Sequence, residues 1–230
     1  MSNPVDMHTI MAATVHDVKN ALSLIDNELR EVIDSIHERE PDSTLKLNRL
    51  RLEAGRINND LVHMLGLYRM NTDTFRPDFD EVLIEDVIHD ATSRYQQTLE
   101  SLGIHLGIEL EDPDIAWVID PVLIEGVLAN ILTNSIRYTK DRLDFRAFMA
   151  DGGLCITLTD NGEGYPAKMM NFMSETPNQG ELSFQNGSTG LGLYFCQQIA
   201  QLHRQGDAEG YIKLTNHPEH GGAVFTLWLP

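Results

Sequence analysis

Long apolar runs, cysteines and basic side chains are all scarce in this sequence of 230 residues. No uninterrupted apolar run approaches the roughly 20 residues that span a bilayer. The first ten residues, MSNPVDMHTI, lack the basic and apolar regions of a signal peptide. We therefore expect a cytoplasmic protein without membrane insertion. The hydrophobic fraction of 42% is that of an ordinary globular chain, with enough length for one large domain or two small ones.

The shortage of basic residues leaves the chain strongly acidic. Lysine and arginine total 17 against 35 aspartates and glutamates, which gives a formal net charge of −18. An acidic surface repels the phosphates of nucleic acids and of anionic membranes. We therefore expect no direct binding of nucleic acid.

The cysteine content excludes a disulfide framework. The two cysteines, Cys155 and Cys196, lie in apolar surroundings of a predicted strand and a predicted helix. Such positions fit buried small hydrophobic residues better than a disulfide or a metal site. The nine histidines show no paired ligand spacing with cysteine, so no zinc site is predicted.

Two heptad patterns predict a pair of N-terminal helices. The first steps by four and three through Met11, Val15, Val18, Leu22, Ile25, Leu29, Val32 and Ile36. Pro41-Asp42-Ser43 interrupts it, and Asp42 or Ser43 can cap a new helix. The second pattern runs through Leu47, Leu50, Ala54, Ile57, Leu61, Met64 and Tyr68. Two matched helices with a short connection predict an antiparallel hairpin.

A hairpin of this size has only a thin core. Further apolar residues lie off both patterns, namely Leu45, Leu52, Val62, Leu65 and Leu67. Packing two copies into a four-helix bundle would bury them, so we expect a homodimer. The alternative is a hairpin folded back on its own C-terminal domain.

The first predicted helix carries His16, Asp17 and Asn20 in the stretch HDVKNAL. Residues four apart share a helical face, so Asn20 lies beside His16. A histidine nucleophile would then have a carboxylate to accept a proton and an amide to orient a water molecule. The alternative is a solvated histidine without a chemical role.

A polar stretch with a proline, residues 71–78, marks a domain boundary. We therefore predict a helical domain over 1–72, a linker over 73–79 and a second domain over 80–230. In the second domain, the pattern predicts an amphipathic helix over 82–102, preceded by a short strand. Strands are predicted over 104–110, 115–119, 143–150, 154–159, 211–215 and 223–229, and helices over 122–138 and 191–202. Residues 167–186 are too irregular for a core element.

Local signals fix two of these boundaries. Asp120 suits the N-cap of a helix whose first residue is Pro121. Asp151-Gly152-Gly153 is a strong hairpin turn.

The helix over 122–138 carries two amides, Asn130 and Asn134, on one face of an apolar element. Buried amides are costly without partners. One interpretation is oxygen ligation of Mg²⁺, which prefers hard oxygen donors and shares its shell with nucleotide phosphates. The other is that the amides hydrogen-bond to each other or to a neighbouring turn.

Two glycine clusters, TDNGEGYP over 159–166 and GSTGLGL over 187–193, flank the irregular segment. Glycine lets a ligand approach the main chain, and the second cluster opens a helix whose N–H groups can face phosphate. Together they predict a phosphate site under a lid. The alternative is a pair of ordinary turns.

These motifs resemble those of sensor histidine kinases. HDVKNAL resembles the H-box, LANILTNSIRYT over 128–139 the N-box, TDNGEGYP the G1 box, GSTGLGL the G2 box and GGAVFTLWLP the closing strand. The resemblance implies an α+β chain, with the hairpin followed by a GHKL (Bergerat) ATP-binding domain. That fold is an α/β sandwich of a mixed sheet with helices on one face.

The resemblance also implies roles for individual residues. His16 accepts the γ-phosphoryl group of ATP, Asp17 acts as base and Asn20 assists dephosphorylation of the partner. Asn130 and Asn134 lie at Mg²⁺ and the phosphates, Arg137 pairs with phosphate and Tyr138 covers the adenine. Asp160 accepts a hydrogen bond from the adenine amino group, with Gly162 and Gly164 beside the ring. The remaining nucleotide-binding positions are Gly187, Thr189, Gly190, Leu191 and Gly192.

The implied activity is autophosphorylation on His16 and transfer to an aspartate of a response regulator receiver domain, a phosphorelay step of a two-component system. The segment between the glycine clusters departs from the family pattern, because Lys168 is its sole cation and Glu175 and Glu181 are acidic. Such a lid favours binding over transfer. The alternative is therefore a histidine phosphotransferase or a regulatory pseudokinase or phosphatase with the same fold.

Within these 230 residues we expect neither a sensory module before the predicted hairpin nor a receiver domain after the second domain. Two explanations stay open. The input arrives through a separate sensory partner, or the sequence is a kinase core from a longer protein.

Overall fold

The computed structural model describes residues 7–36, 40–70, 75–172, 191–219 and 221–230. The chain divides into two compact units between Phe75 and Arg76. The second unit therefore begins inside the segment 73–79 that the sequence predicts as a linker. Of the helices in the described ranges, none is long and apolar enough to cross a bilayer.

The first unit is a helical hairpin, formed by α1 (Met7–Ile36) and α2 (Pro41–Met70), each 30 residues long. The Nε atom of Arg51 donates to Oδ1 of Asp26 across the two helices, at 2.9 Å. The predicted pair of helices is confirmed, and both extend a few residues beyond the heptad patterns.

The heptad positions of the hairpin are buried unequally. From Val18 onward in α1 and throughout the pattern of α2, every second position is exposed and the others are half-buried. We call the exposed set the apolar columns, which consist of Val18, Ile25 and Val32 on α1 and Leu50, Ile57 and Met64 on α2. The contact between the two helices instead buries polar side chains, namely Thr44, Asn48, Arg51 and His63. The patterns therefore do not pack wholly within one hairpin.

The second unit contains the remaining elements. In chain order they are β1 (Asp80–Leu83), α3 (Ile84–Ser93), α4 (Gln96–Ser101), β2 (His105–Leu110), β3 (Ala116–Ile119), α5 (Pro121–Tyr138), β4 (Arg142–Ala150), β5 (Gly153–Asp160), α6 (Ala167–Phe172), α7 (Leu191–Leu202), β6 (Arg204–Gln205), β7 (Ala208–Glu209), β8 (Tyr211–Asn216) and β9 (Ala223–Leu229).

A mixed five-stranded sheet organises this unit, in the order β2-β4-β5-β9-β8. β2 runs parallel to β4, and the other neighbours are antiparallel. Because successive side chains point to opposite faces, β4, β8 and β9 bury alternate residues. The buried side chains of β5 and its neighbours include Phe145, Ile156 and Phe225.

The buried face of the sheet packs against α3, α5 and α7. Their fully buried side chains include Ile88, Leu128 and Ile199. The helices therefore cover one face of the sheet, and the predicted α/β sandwich is confirmed. Both cysteines are free and buried, as the sequence predicts.

The local signals place their elements correctly. Asp120 caps α5 by accepting the Leu123 N–H at 3.0 Å, and Pro121 begins the helix. The turn between β4 and β5 has positive φ at Asp151 and Gly152 (54° and 78°), as a two-residue hairpin turn of this hand requires.

Two predictions of local structure are wrong, and one short hairpin was not predicted. The helix over 82–102 breaks into α3 and α4, where the Thr92 hydroxyl donates back to the Ile88 carbonyl at 2.8 Å. Hydroxyl groups that bond the preceding turn in this way weaken a helix. The short helix α6 lies inside the segment predicted as irregular, and the β6–β7 hairpin is too short for its alternation to be recognised.

Candidate active site

Helix α5 presents two of the predicted site residues on one face. Asn130 is buried and Asn134, one turn later, is half-buried. The Nδ2 atom of Asn130 donates to the Cys196 sulfur on α7 at 3.2 Å. The sequence analysis offered the other amide or a nearby turn only as the alternative to Mg²⁺ ligation, and it did not foresee this long-range partner.

The contact with Cys196 orients the Asn130 amide. Cys196 is fully buried, and burial raises the pKa of its thiol to about 12, so the sulfur is neutral near pH 7. With Nδ2 engaged, Oδ1 is the atom of Asn130 suited to a metal or a donor. A Cβ at Gly192 would lie 2.7 Å from that oxygen. Only glycine at the start of α7 leaves room for the amide.

Asp160 ends β5 with a buried carboxylate. Its Oδ1 accepts the backbone N–H groups of Gly162 at 2.8 Å and Ala223 at 3.0 Å. Both bonds from the described residues therefore end on one oxygen. The other oxygen, Oδ2, is the one left to accept a bond from a ligand.

The glycines after Asp160 allow backbone segments to pack closely. A Cβ at Gly162 would collide with the Tyr138 carbonyl, and one at Gly164 with the Gly221 carbonyl. Gly164 also has a φ of 83°, in the left-handed region. The sequence explained these glycines by approach to a ligand. In the structure they bring the turn against the end of α5 and the β8–β9 loop.

Asn161 and Asn216 hold this turn through contacts that the sequence analysis missed. Oδ1 of Asn161 accepts the Thr139 hydroxyl at 2.9 Å, just beyond α5. The side chain of Asn216 accepts the Tyr165 N–H at 2.7 Å and donates to the Tyr165 carbonyl at 3.0 Å. Burial, followed by the nearby Asp160 and Cys196, raises the pKa of the Tyr165 hydroxyl. In the sequence, the only sign of these contacts is that both residues are asparagines, whose side chains can donate and accept hydrogen bonds.

Arg137 and Tyr138 lie exposed at the end of α5. The guanidinium carbon of Arg137 is 5.7 Å from the centre of the Tyr138 ring, within cation–π distance. The carbonyl of Tyr138 faces Gly162, so the aromatic ring belongs to a residue in contact with the turn that follows Asp160. A cation and an aromatic ring thus stand together beside that turn.

Of the remaining predicted residues, three belong to the first unit and one begins α7. His16, Asp17 and Asn20 belong to α1 in the first unit, and the side chains of Asp17 and Asn20 are exposed. Leu191 begins α7. Gly187, Thr189 and Gly190 lie outside the described residues, as do Glu175 and Glu181 of the predicted lid.

A cleft of about 350 Å³ touches Asp160 from the opposite side of the sheet. It is lined by Arg142, Asp144 and Thr159, which alternate with the residues that face the helices. The ion pair between Arg142 and Asp144, at 2.7 Å, lies in it. The cleft is therefore separate from the helix side of the sheet, where Asn130 and the Asp160 carboxylate lie.

Comparison with known proteins identifies the second unit. Residues 119–230 match the family described as Histidine kinase-, DNA gyrase B-, and HSP90-like ATPase. These residues, just under half of the chain, are similar to that family of ATPases. The match includes α5, Asp160 and α7, and a domain of this family implies ATP binding.

Relatives extend the similarity to the helical hairpin. Sensor protein KdpD and sensor histidine kinase CpxA of Escherichia coli are each 25% identical to the chain and match 97% of it. Alginate biosynthesis sensor protein KinB of Pseudomonas aeruginosa is 27% identical over 86% of the chain. The matched part covers 24%, 49% and 32% of these relatives, so the chain spans at most about half of their length. The resemblance to sensor histidine kinases is confirmed.

Solved structures share the fold. The catalytic domain of histidine kinase ThkA has a TM-score of 0.56 at 19% identity, covering 66% of this chain and 95% of its own. The cytoplasmic segment of histidine kinase QseC has a TM-score of 0.55 at 21% identity, covering 79% of this chain and 93% of its own. At these identities the likeness shows a shared fold.

Proposed function

We propose that the chain is an ATP-dependent histidine kinase core that phosphorylates His16 and passes the phosphoryl group to an aspartate of a response regulator. One observation carries the proposal. Asn130 meets Gly192 and Cys196 of α7, and Tyr165 lies near both Cys196 and Asp160. This domain resembles a family of ATPases, and the same chain carries His16 on its first helix. We place this core in the cytoplasm, where ATP and response regulators are available.

The adenine would bind at Asp160. Oδ2 of that carboxylate is the acceptor for the exocyclic amino group, a donor that adenine has and guanine lacks at this position. The exposed ring of Tyr138 can cover the base, and the neighbouring Arg137 can pair with phosphate. The buried bonds to Oδ1 hold the carboxylate in position for this contact.

The phosphates would lie at the start of α7, with Mg²⁺ held by the amide oxygens of Asn130 and Asn134. These residues fit a hard cation. The amide nitrogen of Asn130 donates to the Cys196 sulfur, so its amide oxygen remains available as a ligand. Bound Mg²⁺ would neutralise charge on the β- and γ-phosphates. The N–H groups at the start of α7 can add to this stabilisation.

In the transfer step, an imidazole nitrogen of His16 attacks the γ-phosphorus while Asp17 accepts the proton from the other ring nitrogen. A nitrogen–phosphorus bond forms, the bond from the γ-phosphorus to the bridging oxygen breaks, and ADP leaves. The phosphohistidine then donates its phosphoryl group to a carboxylate oxygen of the receiver aspartate. Positioning and charge neutralisation supply most of the catalysis in such a reaction.

The apolar columns support a homodimer. Leu50 on α2 is 57% exposed and Ile25 on α1 is 47% exposed, although both occupy heptad positions. A second copy of the hairpin would cover these columns in a four-helix bundle. Input would come from a sensory segment or a separate sensory partner.

Two variants test the kinase assignment separately. With γ-labelled ATP and Mg²⁺, we expect His16→Ala to abolish labelling while nucleotide affinity stays unchanged. Asp160→Asn should lower nucleotide affinity at least about tenfold, because an amide nitrogen or a weaker acceptor then faces the adenine amino group. His89→Ala removes an exposed histidine of α3 and serves as the control. Persistent labelling of His16→Ala would contradict the assignment.

A second candidate function is dephosphorylation of the response regulator. The exposed amide of Asn20, one turn after His16, can orient an attacking water, and the acidic lid sequence favours binding over transfer. A phosphorylated regulator should then lose phosphate faster with the chain than without it. Asn20→Ala should remove this acceleration and leave nucleotide binding intact.

A further inference from the structure

A buried pair, Asp120 and His203, joins the first residue before α5 to the first residue after α7. Both side chains are buried, with exposures of 7% and 3%. The backbone N–H of Asp120 donates to Nε2 of His203 at 3.2 Å. On its other side, Nδ1 of His203 lies 2.8 Å from the Ile199 carbonyl in the last turns of α7.

These partners determine the state of the imidazole. Nε2 faces a backbone N–H and must accept, so it carries no proton. Nδ1 faces a carbonyl and must donate. The ring is therefore neutral, in agreement with the burial that lowers the pKa of His203.

The same pair holds the segment that leads into the second unit. We call residues 76–79 the lead-in segment. The backbone N–H of Asp78 donates to Oδ2 of Asp120 at 2.8 Å, while Oδ1 of Asp120 caps α5. The ring of Phe79 meets the His203 ring edge-on, with centres 5.2 Å apart. Both residues of the pair therefore contact the lead-in segment.

The ring of Phe195 on α7 lies beside Gly126 of α5, and two polar contacts between the helices lie on either side of it. One is the pair Asp120 and His203, and the other is the contact of Asn130 with Cys196 and Gly192. Asn130 lies ten residues after Asp120, and Gly192 lies eleven before His203, so each helix separates the two places by about 15 Å. Two contacts so spaced fix how far one helix slides along the other.

We propose that Asp120 and His203 are positioning residues that couple the lead-in segment to the nucleotide site. Displacing the segment removes the Asp78 contact and the Phe79 contact from the pair, which changes the alignment of α5 and α7. The alignment sets the position of the Asn130 amide beside Gly192. Because coupling is reciprocal, nucleotide binding must in turn stabilise the lead-in segment. The inference rests on the proposed nucleotide site.

A helix cap alone would not require this arrangement. One carboxylate oxygen is enough to cap α5, and the second oxygen of Asp120 accepts the backbone N–H of Asp78. Asp120→Asn separates the two tasks, because an asparagine oxygen still caps a helix while its NH₂ group would face the Asp78 N–H. Asp112→Asn is the matched control, since the exposed Asp112 also accepts a backbone N–H, that of Asp114 at 2.9 Å.

The test measures hydrogen exchange of the Asp78 amide in the full chain, with and without ATP and Mg²⁺, alongside direct titration of nucleotide binding. We expect nucleotide to slow this exchange at least about fivefold in the unchanged chain and in Asp112→Asn. Asp120→Asn should still bind nucleotide and show no such slowing. His203→Leu, which removes the acceptor for the Asp120 N–H, should also lose the slowing and bind nucleotide several-fold more weakly.

The outcomes separate this inference from the proposed function. Nucleotide binding without slowed exchange at Asp78 in the unchanged chain would overturn the coupling and leave the nucleotide site standing. Retained slowing in Asp120→Asn would also overturn it. A chain that binds no nucleotide would contradict the proposed function and the coupling together. If Asp120→Asn fails to fold, Phe79→Leu removes the contact between the Phe79 and His203 rings. Its exchange at Asp78 is then compared with and without nucleotide in the same way.

Discussion

The two units of the chain treat buried polar groups differently. In the ATPase-family unit, Asp120, Asn130, Asp160 and His203 are buried and each makes a hydrogen bond. In the hairpin, within the described ranges, several buried polar atoms have no hydrogen-bond partner. They include Oγ1 of Thr44, Nδ2 of Asn48, Nη1 of Arg51, Oδ1 of Asn58 and Nδ2 of Asn59.

The two units also differ in how far they bury their large apolar residues. The ATPase-family unit packs its large apolar residues between sheet and helices, and Phe145 and Phe225 are almost fully buried. The hairpin buries Ile33 but leaves its apolar columns exposed. A buried polar group without a partner costs about 1–3 kcal/mol. Within the described residues, the second unit thus covers its large apolar groups and pairs these buried polar groups, whereas the hairpin does neither fully.

The largest expected effect tests the completeness of the ATPase-family core. Phe145→Ala should lower the free energy of unfolding of this unit by about 3–5 kcal/mol, because it leaves a cavity under the sheet. Chemical denaturation followed by tryptophan fluorescence reports on this unit, since Trp117 and Trp228 both lie in it. Phe79→Ala, at a 44% exposed ring, should cost much less. Equal costs would contradict the described core.

The next effect concerns His63, buried in the hairpin. Burial lowers the pKa of His63 from 6.5 to about 4 in the folded chain. The unfolded chain binds the proton at higher pH, so hairpin stability is full above pH 6.5 and falls as the pH drops toward 4, by about 3 kcal/mol. Helical content measured against denaturant at several pH values checks this slope. His63→Gln should flatten it, and an unchanged slope would contradict the burial.

A smaller effect tests the apolar columns. Ile57→Glu places a charge in the surface that a second copy would bury, and should weaken self-association by about 2 kcal/mol per subunit. Light scattering over a range of concentrations measures the association. Val118→Glu is the matched control, because Val118 is 61% exposed on β3, outside the hairpin. If both variants associate like the unchanged chain, the columns are not the dimer interface.

The smallest expected effect concerns the orientation of Asn130. Cys196→Ala removes the sulfur acceptor and should weaken Mg²⁺-dependent ATP binding by about 1 kcal/mol, roughly fivefold. Cys196→Ser, which keeps an acceptor, should lose less. Cys155→Ala, at the other buried thiol, is the control in the same titration. If both variants lose the same ATP affinity, Cys196 contributes through packing and not through its hydrogen bond with Asn130.

The sequence predicts the features that rest on neighbouring residues. The cap at Asp120, the turn at Asp151 and Gly152, and the start of α7 all follow from local residue types. The order of the motifs was enough to indicate the ATPase-family fold. Residues with long-range partners were missed, because no local pattern encodes their contacts.

Three missed contacts illustrate this limit. Asn130 and Cys196 are 66 positions apart, Tyr165 and Asn216 are 51 apart, and Asp120 and His203 are 83 apart. Each depends on how α5, α7 and the β8–β9 loop come together around the sheet. The unequal burial of the heptad positions was missed for a related reason. A periodic pattern identifies an apolar face without saying which part of that face the partner helix covers.

The central claim is that ATP bound in the ATPase-family unit phosphorylates the histidine of α1. Mapping of the modified residue tests it most directly, after the purified chain is incubated with ATP and Mg²⁺ and digested at a pH that preserves phosphohistidine. The account predicts one phosphoryl group, on His16, that passes to a receiver aspartate when a response regulator is added. A chain that binds ATP and stays unmodified, or that carries phosphate on another residue, would contradict it.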